Sequence, residues 1–255
     1  MKSVMSVCAL LAAATSAHAG LSLSLAGPGA QTFSNGGGGG FGGTLGNGSI
    51  TMEIIGSDLR VTFTPGNAVN DYVALFLDTR SGGFSDAQMD DQGDDGRRVL
   101  SNLTSLLDDV HPNMPSGADF GIAFWNGGNG AQSVGFEFNA GNTPFHLNYA
   151  GNYINNGPGS YTSTWSLAQL GNPSEINFFA AYTSGGGYNS NESLPASAGL
   201  NGNGNPGFGD GQFGGLNPPP ANIVYENYNR YLVPTPGAAA LLGLGGLMAA
   251  RRRRA

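Results

Sequence analysis

Apolar and polar positions alternate with a period of two along two neighbouring stretches. Ile50, Met52 and Ile54 form the first set, and Leu59, Val61 and Phe63 the second, with Gly56, Ser57 and Asp58 between them. This is the pattern of a strand with one buried face, so the pair predicts a β-hairpin. The run at 72–77, YVALFL, does not alternate and is closed by Asp78, as expected of a central strand covered on both faces. Then the spacing changes. Val99, Leu100, Leu103, Leu106, Leu107 and Val110 recur at helical intervals, Asp94 or Asp95 stands at the start, and Pro112 follows the end, which together predict a helix over 97–110. Asp108 and Asp109 oppose the dipole at its C-terminal end. Further strands are predicted at 21–25, 120–125, 133–138, 145–149, 162–167 and 176–182, with a closing strand within 222–232. Strands recurring every roughly 8 to 15 residues between Gly, Asn and Pro turns favour an antiparallel β-sandwich, mainly all-β, with one short helix. Its expected interior includes Phe63, Leu75, Leu77, Ile122, Phe124, Phe136 and Phe178.

Composition modifies this picture at three places. Glycine dominates 27–48, including five in succession from Gly36 to Gly40, and a segment with so few side chains reads as a mobile loop. Residues 184–220, rich in Gly, Asn and Pro, read as loop as well. Charge is scarce and one-sided. Residues 20–232 hold five arginines and no lysine against all 17 acidic residues of the chain. An acidic surface repels phosphate backbones and excludes nucleic acid as a partner, while it suits divalent cations and neutral glycans.

The two ends read as processing segments rather than as parts of the fold. Residues 1–19 carry Lys2, then an apolar core, and finish in Ala17-His18-Ala19, the layout of a signal peptide cleaved before Gly20. Cleavage there would remove Cys8, the one cysteine, and with it any disulfide, thiolate nucleophile or cysteine metal ligand. At the other end, residues 233–255 contain Pro234, Thr235, Pro236 and Gly237, an apolar run to Ala250, and Arg251, Arg252, Arg253 and Arg254. That run is too short to span comfortably: about 14 helical residues cover roughly 21 Å of a core about 30 Å thick. The arginines would remain on the cytoplasmic side. The expected layout is therefore a signal peptide at 1–19, an N-terminal strand and glycine-rich loop at 20–49, a sandwich body at 50–232 and a sorting tail at 233–255.

The tail resembles the PEP-CTERM sorting signal of Gram-negative bacteria, with Thr235 where that family usually has Glu. The resemblance implies processing by signal peptidase and an exosortase, transient retention at the inner membrane, and delivery to the cell envelope, cell surface or extracellular matrix. Four phrases of the body, DLRVTFTPG at 58–66, YVALFLDTRSGGFSD at 72–86, GADFGIAFW at 117–125 and SNESLP at 190–195, resemble DOMON-like or glucodextranase-C-like β-sandwich modules. That likeness implies an antiparallel sandwich and binding of a glycan or another small extracellular ligand.

Candidate chemistry is sparse. Asp78, Asp86, Asp90, Asp91, Asp94 and Asp95 place six carboxylates in a short stretch, and hard Ca²⁺ is held by such oxygens. An EF-hand does not fit, because Gly93 and Asn102 fall where ligands belong. Two readings compete: a Ca²⁺ loop of another kind, or a solvated acidic loop partly neutralised by Arg80, Arg97 and Arg98. Trp125, Trp165, Tyr149, Tyr153, Tyr161, Tyr182 and Tyr188 could stack on sugar rings, and Trp125 with Asn126 and Tyr188 with Asn189 pair an aromatic face with a carboxamide. The competing reading packs both tryptophans in the body. No enzyme activity is expected. Glu53, Glu137, Glu175 and Glu192 show no pairing that a glycosidase would need, no G-x-S-x-G is present, and His111 and His146 cannot furnish a histidine-rich zinc site. The function expected is that of a non-enzymatic exported surface or matrix protein. A lectin-like carbohydrate-binding module, with exopolysaccharide as partner, is the alternative, and a secreted glycan hydrolase a remote third.

Overall fold

The computed structural model describes residues 29–83, 93–101, 114, 116–128, 130–138, 147–150, 154–157, 161–186, 188–196, 207–208 and 227–234. Two antiparallel sheets face each other. The smaller contains β1 (Gln31–Phe33), β2 (Ser49–Ile55), β3 (Asp58–Thr64) and β9 (Tyr161–Ser166) in the order β1-β2-β3-β9. The larger is built on β4 (Tyr72–Asp78), β5 (Phe120–Gly127), β6 (Gly130–Phe138), β7 (Leu147–Tyr149), β10 (Glu175–Thr183), β11 (Tyr188–Leu194) and β12 (Gly207–Phe208), in the order β12-β11-β10-β4-β5-β6-β7. In addition β8 (Ile154–Gly157) pairs with β6, and β13 (Asn229–Leu232) with β10. Every pairing within the sheets is antiparallel, as the alternation and turn spacing predict.

The predicted hairpin is β2–β3, with Ile50 opposite Phe63 and Met52 opposite Val61. Its apolar set turns inward against Val73, Leu75 and Leu77 of β4, Ile122 and Phe124 of β5, and Phe178 of β10. Its other face is polar, where Thr32, Thr51, Thr62 and Thr162 form one row across the four strands and Glu53 pairs with Arg60. All seven side chains expected in the interior are buried. The unalternating run at 72–77 has a plain cause. Ala74 and Phe76 point to the opposite side of the large sheet, into a second apolar layer with Phe136, Phe179, Met114, and Val99 and Leu100 of the helix α1 (Asp95–Ser101). The helix is capped by Asp94, whose Oδ1 accepts the Arg97 N–H at 2.9 Å, so it starts two residues before the predicted Arg97. The rest of the predicted helix, 102–110, and the predicted strand at 21–25 lie outside the described residues.

Two expectations are corrected. The glycine-rich stretch is folded where it is described, not a mobile loop. β1 pairs with β2, and Phe33 packs edge-on against Phe178 at 4.8 Å. Beyond it, the chain wraps around the carboxylate of Glu192. Oε1 accepts the N–H groups of Phe41 and Gly43 at 3.0 and 2.8 Å, and Oε2 those of Leu45 and Gly46 at 2.8 and 3.2 Å. Asn191 Oδ1 accepts two more, from Gly39 and Gly40. This is an anion nest made of backbone donors. Glycine is required for the close approach: a Cβ at Gly38, where φ is +84°, would lie 2.1 Å from the Asn191 carbonyl oxygen. The second correction concerns 184–220, which contributes β11 and β12 rather than loop alone. β11 escapes the alternation pattern because its buried residues Asn189, Ser190, Glu192 and Ser193 are polar. The closing strand expected within 222–232 is described as β13, and its Tyr231 is buried.

Candidate functional site

Strand register places Tyr72, the first residue of β4, directly opposite Trp125 of β5. Both project on the helix side of the large sheet, beside the second apolar layer. Their rings stack at 5.7 Å between centroids with 27° between planes. Across the same surface β7 carries Tyr149 opposite Phe136, with ring centroids 4.9 Å apart. Tyr149 is 61% exposed, the most exposed large hydrophobic side chain among the described residues. These three rings, with Asp94, Asp95, Arg98 and Val134, line a cleft of about 570 Å³.

An ion-pair network fixes the polar rim. Tyr149 donates its hydroxyl proton to Asp94 Oδ2 at 2.6 Å. Arg97 bonds to the same carboxylate and to the Tyr149 hydroxyl, while its guanidinium lies 4.1 Å from the Tyr149 ring centroid and 5.4 Å from that of Phe136. Arg98 holds Asp95 at 2.8 Å and the Gly185 carbonyl at 3.1 Å, and the Tyr72 hydroxyl reaches Asp95 at 3.4 Å. Burial and the Asp95 charge push the Tyr72 hydroxyl up to about 12, so it stays protonated and a donor. Partial burial pushes the Asp94 carboxyl upward, but the Tyr149 hydroxyl, the Arg97 N–H and the Arg97 charge outweigh it and hold Asp94 below the usual carboxylate range. The hydrogen bond to Asp94, with some burial, raises the Tyr149 hydroxyl. An ionised Asp94 flanked by neutral tyrosines and paired arginines can orient a ligand. It is poorly suited to deliver a proton near neutral pH.

The remaining candidates are distributed differently from their sequence grouping. The six carboxylates are not one cluster as far as they are described. Asp94 and Asp95 lie by Tyr72, whereas Asp78 is at the far end of β4, about 20 Å away at a strand rise of about 3.3 Å per residue. There Asp78 accepts the Ser116 N–H at 3.2 Å, and burial pushes its carboxyl up to about 6. Asp86, Asp90 and Asp91 lie outside the described residues. Trp125 is in the cleft, and its neighbour Asn126 is exposed at the end of β5. Tyr188 is on the other face of the large sheet, stacked on Phe41 at 6.1 Å, and Asn189 is fully buried. The two aromatic–amide pairs are therefore not brought together. Trp165, Tyr161 and Tyr182 are interior residues, and Trp165 Nε1 donates to Ser163 Oγ at 3.0 Å, so none of the three offers a face to a sugar. Tyr153, His111 and His146 are outside the described residues.

Tyr72 and Arg98 were not singled out as site residues by the sequence. The signal for Tyr72 was present, since a run covered on both faces must send its even-numbered members toward one side, and its first member is aromatic. Of the tail motif, Pro234 is described just beyond β13, whereas Thr235, Pro236, Gly237 and Arg251 to Arg254 are not, nor are Ala17, Ala19 and Gly20. Among the described residues no helix is long and apolar enough to cross a membrane. No protein-family model, curated protein or solved structure matches this chain.

Proposed function

We propose that this chain is an exported, non-enzymatic surface or matrix protein that binds glycan through the cleft of Tyr72, Trp125 and Tyr149. The observation that carries the glycan reading is the stacked Tyr72–Trp125 pair beside the half-open Tyr149 ring. Flat aromatic faces suit the apolar face of a pyranose, and the carboxylates and guanidiniums at the rim suit its hydroxyls. The commitment of Asp94 to Tyr149 and Arg97 speaks for binding over hydrolysis. For export, support comes from the sequence: directly after β13, which ends at Leu232, and Val233, whose N–H donates to the Ser174 carbonyl, stands the Pro-Thr-Pro-Gly element with its apolar run and arginines. Signal peptidase and an exosortase are the partners during export, and exopolysaccharide is the glycan to try first.

The test titrates the exported protein with soluble exopolysaccharide and a panel of neutral oligosaccharides, reading tryptophan fluorescence and heat. Because Trp165 is only 1% exposed, a ligand-dependent change reports on Trp125. Trp125→Ala should weaken binding about tenfold, the equivalent of about 1.4 kcal/mol of lost stacking. Absence of binding to every glycan, or equal binding by the variant, would end the glycan reading and leave an exported surface protein.

A further inference from the structure

We infer that Asp78, Asn177 and Glu175 form a binding site for a hard divalent cation, Ca²⁺ by its chemistry, at the end of the large sheet away from the aromatic cleft. β4 and β10 pair so that Asn177 stands directly opposite Asp78. Strand alternation sends both side chains to the face occupied by Phe76 and Phe179, and Glu175, two residues before Asn177, shares that face. The three residues, with Thr79, Arg80 and Ser116, line a small pocket of about 140 Å³. That is room for an ion with several waters, each water occupying about 30 Å³ in the liquid.

The oxygens here are under-used. Asp78 and Asn177 are each 4% exposed. The Asp78 carboxylate accepts the Ser116 N–H at 3.2 Å and a long bond from Asn177 Nδ2 at 3.5 Å, both to Oδ2. Asn177 Oδ1 is buried without a hydrogen-bond partner, as is the Nε of Arg230 opposite it on β13. A buried acceptor that makes no hydrogen bond is unfavourable, and a cation satisfies it as well as a donor would. Two guanidiniums border the site. Arg80 is held by Asp119 at 3.3 Å and Glu137 at 2.6 Å, while Arg230, directly opposite Asn177 on β13, pairs with Glu175 itself at 3.6 Å and is the charge a bound ion would displace there. Asp119 is occupied by the N–H groups of Thr79 and Arg80. Two carboxylates and a carboxamide carbonyl form a hard oxygen set of the sort Ca²⁺ takes at about 2.3 to 2.6 Å, with water completing the shell. Among the described residues no trio of His, Cys, Asp or Glu gathers around one point, so the third protein ligand is an amide and binding belongs in the range of about 10⁻⁴ to 10⁻³ M seen in extracellular modules.

The experiment follows thermal unfolding of the full chain in chelator and in Ca²⁺ from about 0.1 to 10 mM, a range bracketing that affinity class, with calorimetric titration in parallel. Wild type should gain several degrees at millimolar Ca²⁺. Asn177→Ala and Asp78→Asn should abolish the gain, and Asp90→Asn with Asp94→Asn should retain it. Glu175→Gln, at a half-exposed position, serves if the buried variants fail to fold, and should shift the Ca²⁺ midpoint upward by about tenfold. Equal melting in chelator and Ca²⁺ overturns the proposal. So does a response lost in the Asp90/Asp94 double variant but kept in Glu175→Gln, which would assign the ion to the acidic loop.

Discussion

A single carboxylate, that of Glu192, organises a stretch of chain about 150 positions earlier, and it does so through backbone N–H groups rather than side chains. Hydrogen bonds to a charged acceptor are worth about 1.5 to 3 kcal/mol each where the alternative is an unsatisfied buried donor. Glu192→Gln keeps the shape but replaces one accepting oxygen with an NH₂ group that faces backbone donors. It should destabilise the protein by on the order of 3 kcal/mol in reversible denaturation. A loss under about 0.5 kcal/mol, the size of an ordinary surface change, would show that the nest contributes little. Nothing local in the sequence announced this role. The glycines and Glu192 are far apart along the chain, and strand periodicity does not say which glutamate turns inward. Core positions such as Phe63 and Ile122 were legible, because alternation alone decides which side of a pleated strand meets the opposite sheet.

Among the elements, β4 shows why an unalternating run is informative. Leu75 faces the opposing sheet while Ala74 and Phe76 face the helix layer, so a polar residue at any of these positions would be buried without water. Leu75→Ala should cost about 2 to 5 kcal/mol, measured as a shift of the denaturant midpoint with unchanged slope. A cost well below 1 kcal/mol would place the strand outside the core. The helix start was legible through Asp94, whereas β11 was not. A strand that buries Asn189, Ser190, Glu192 and Ser193 reverses the usual association of polar with exposed, and partners about 150 positions earlier, on Glu192 and Ser193, help make that tolerable. The aromatic cleft was half legible. Trp125 and Tyr149 stood out as aromatics, but the meeting of Tyr72 with Trp125 depends on the β4–β5 register, which neither segment specifies alone.

For the molecule as a whole, the export reading makes one direct prediction. Mass spectrometry of the mature protein from its native cell envelope should find an N-terminus at Gly20 and a C-terminus between residues 232 and 236, with Arg251 to Arg254 absent. Intact arginines on the fully exported form would replace sorting by simple anchoring. The Glu192 nest then acquires a meaning in time. A chain threaded through a membrane with its N-terminus leading presents the glycine segment long before the carboxylate that organises it. β10, which joins β4, β11 and β13, also arrives late. The hairpin β2–β3 and the ribbon β4–β5–β6 can assemble early, as local pairings do. The N-terminal edge stays open until the last quarter of the chain emerges. On the export reading, closure of the sandwich would mark completion of transit, and a chain cut short before β11 would carry most of its strands yet leave its glycine-rich edge open to proteases.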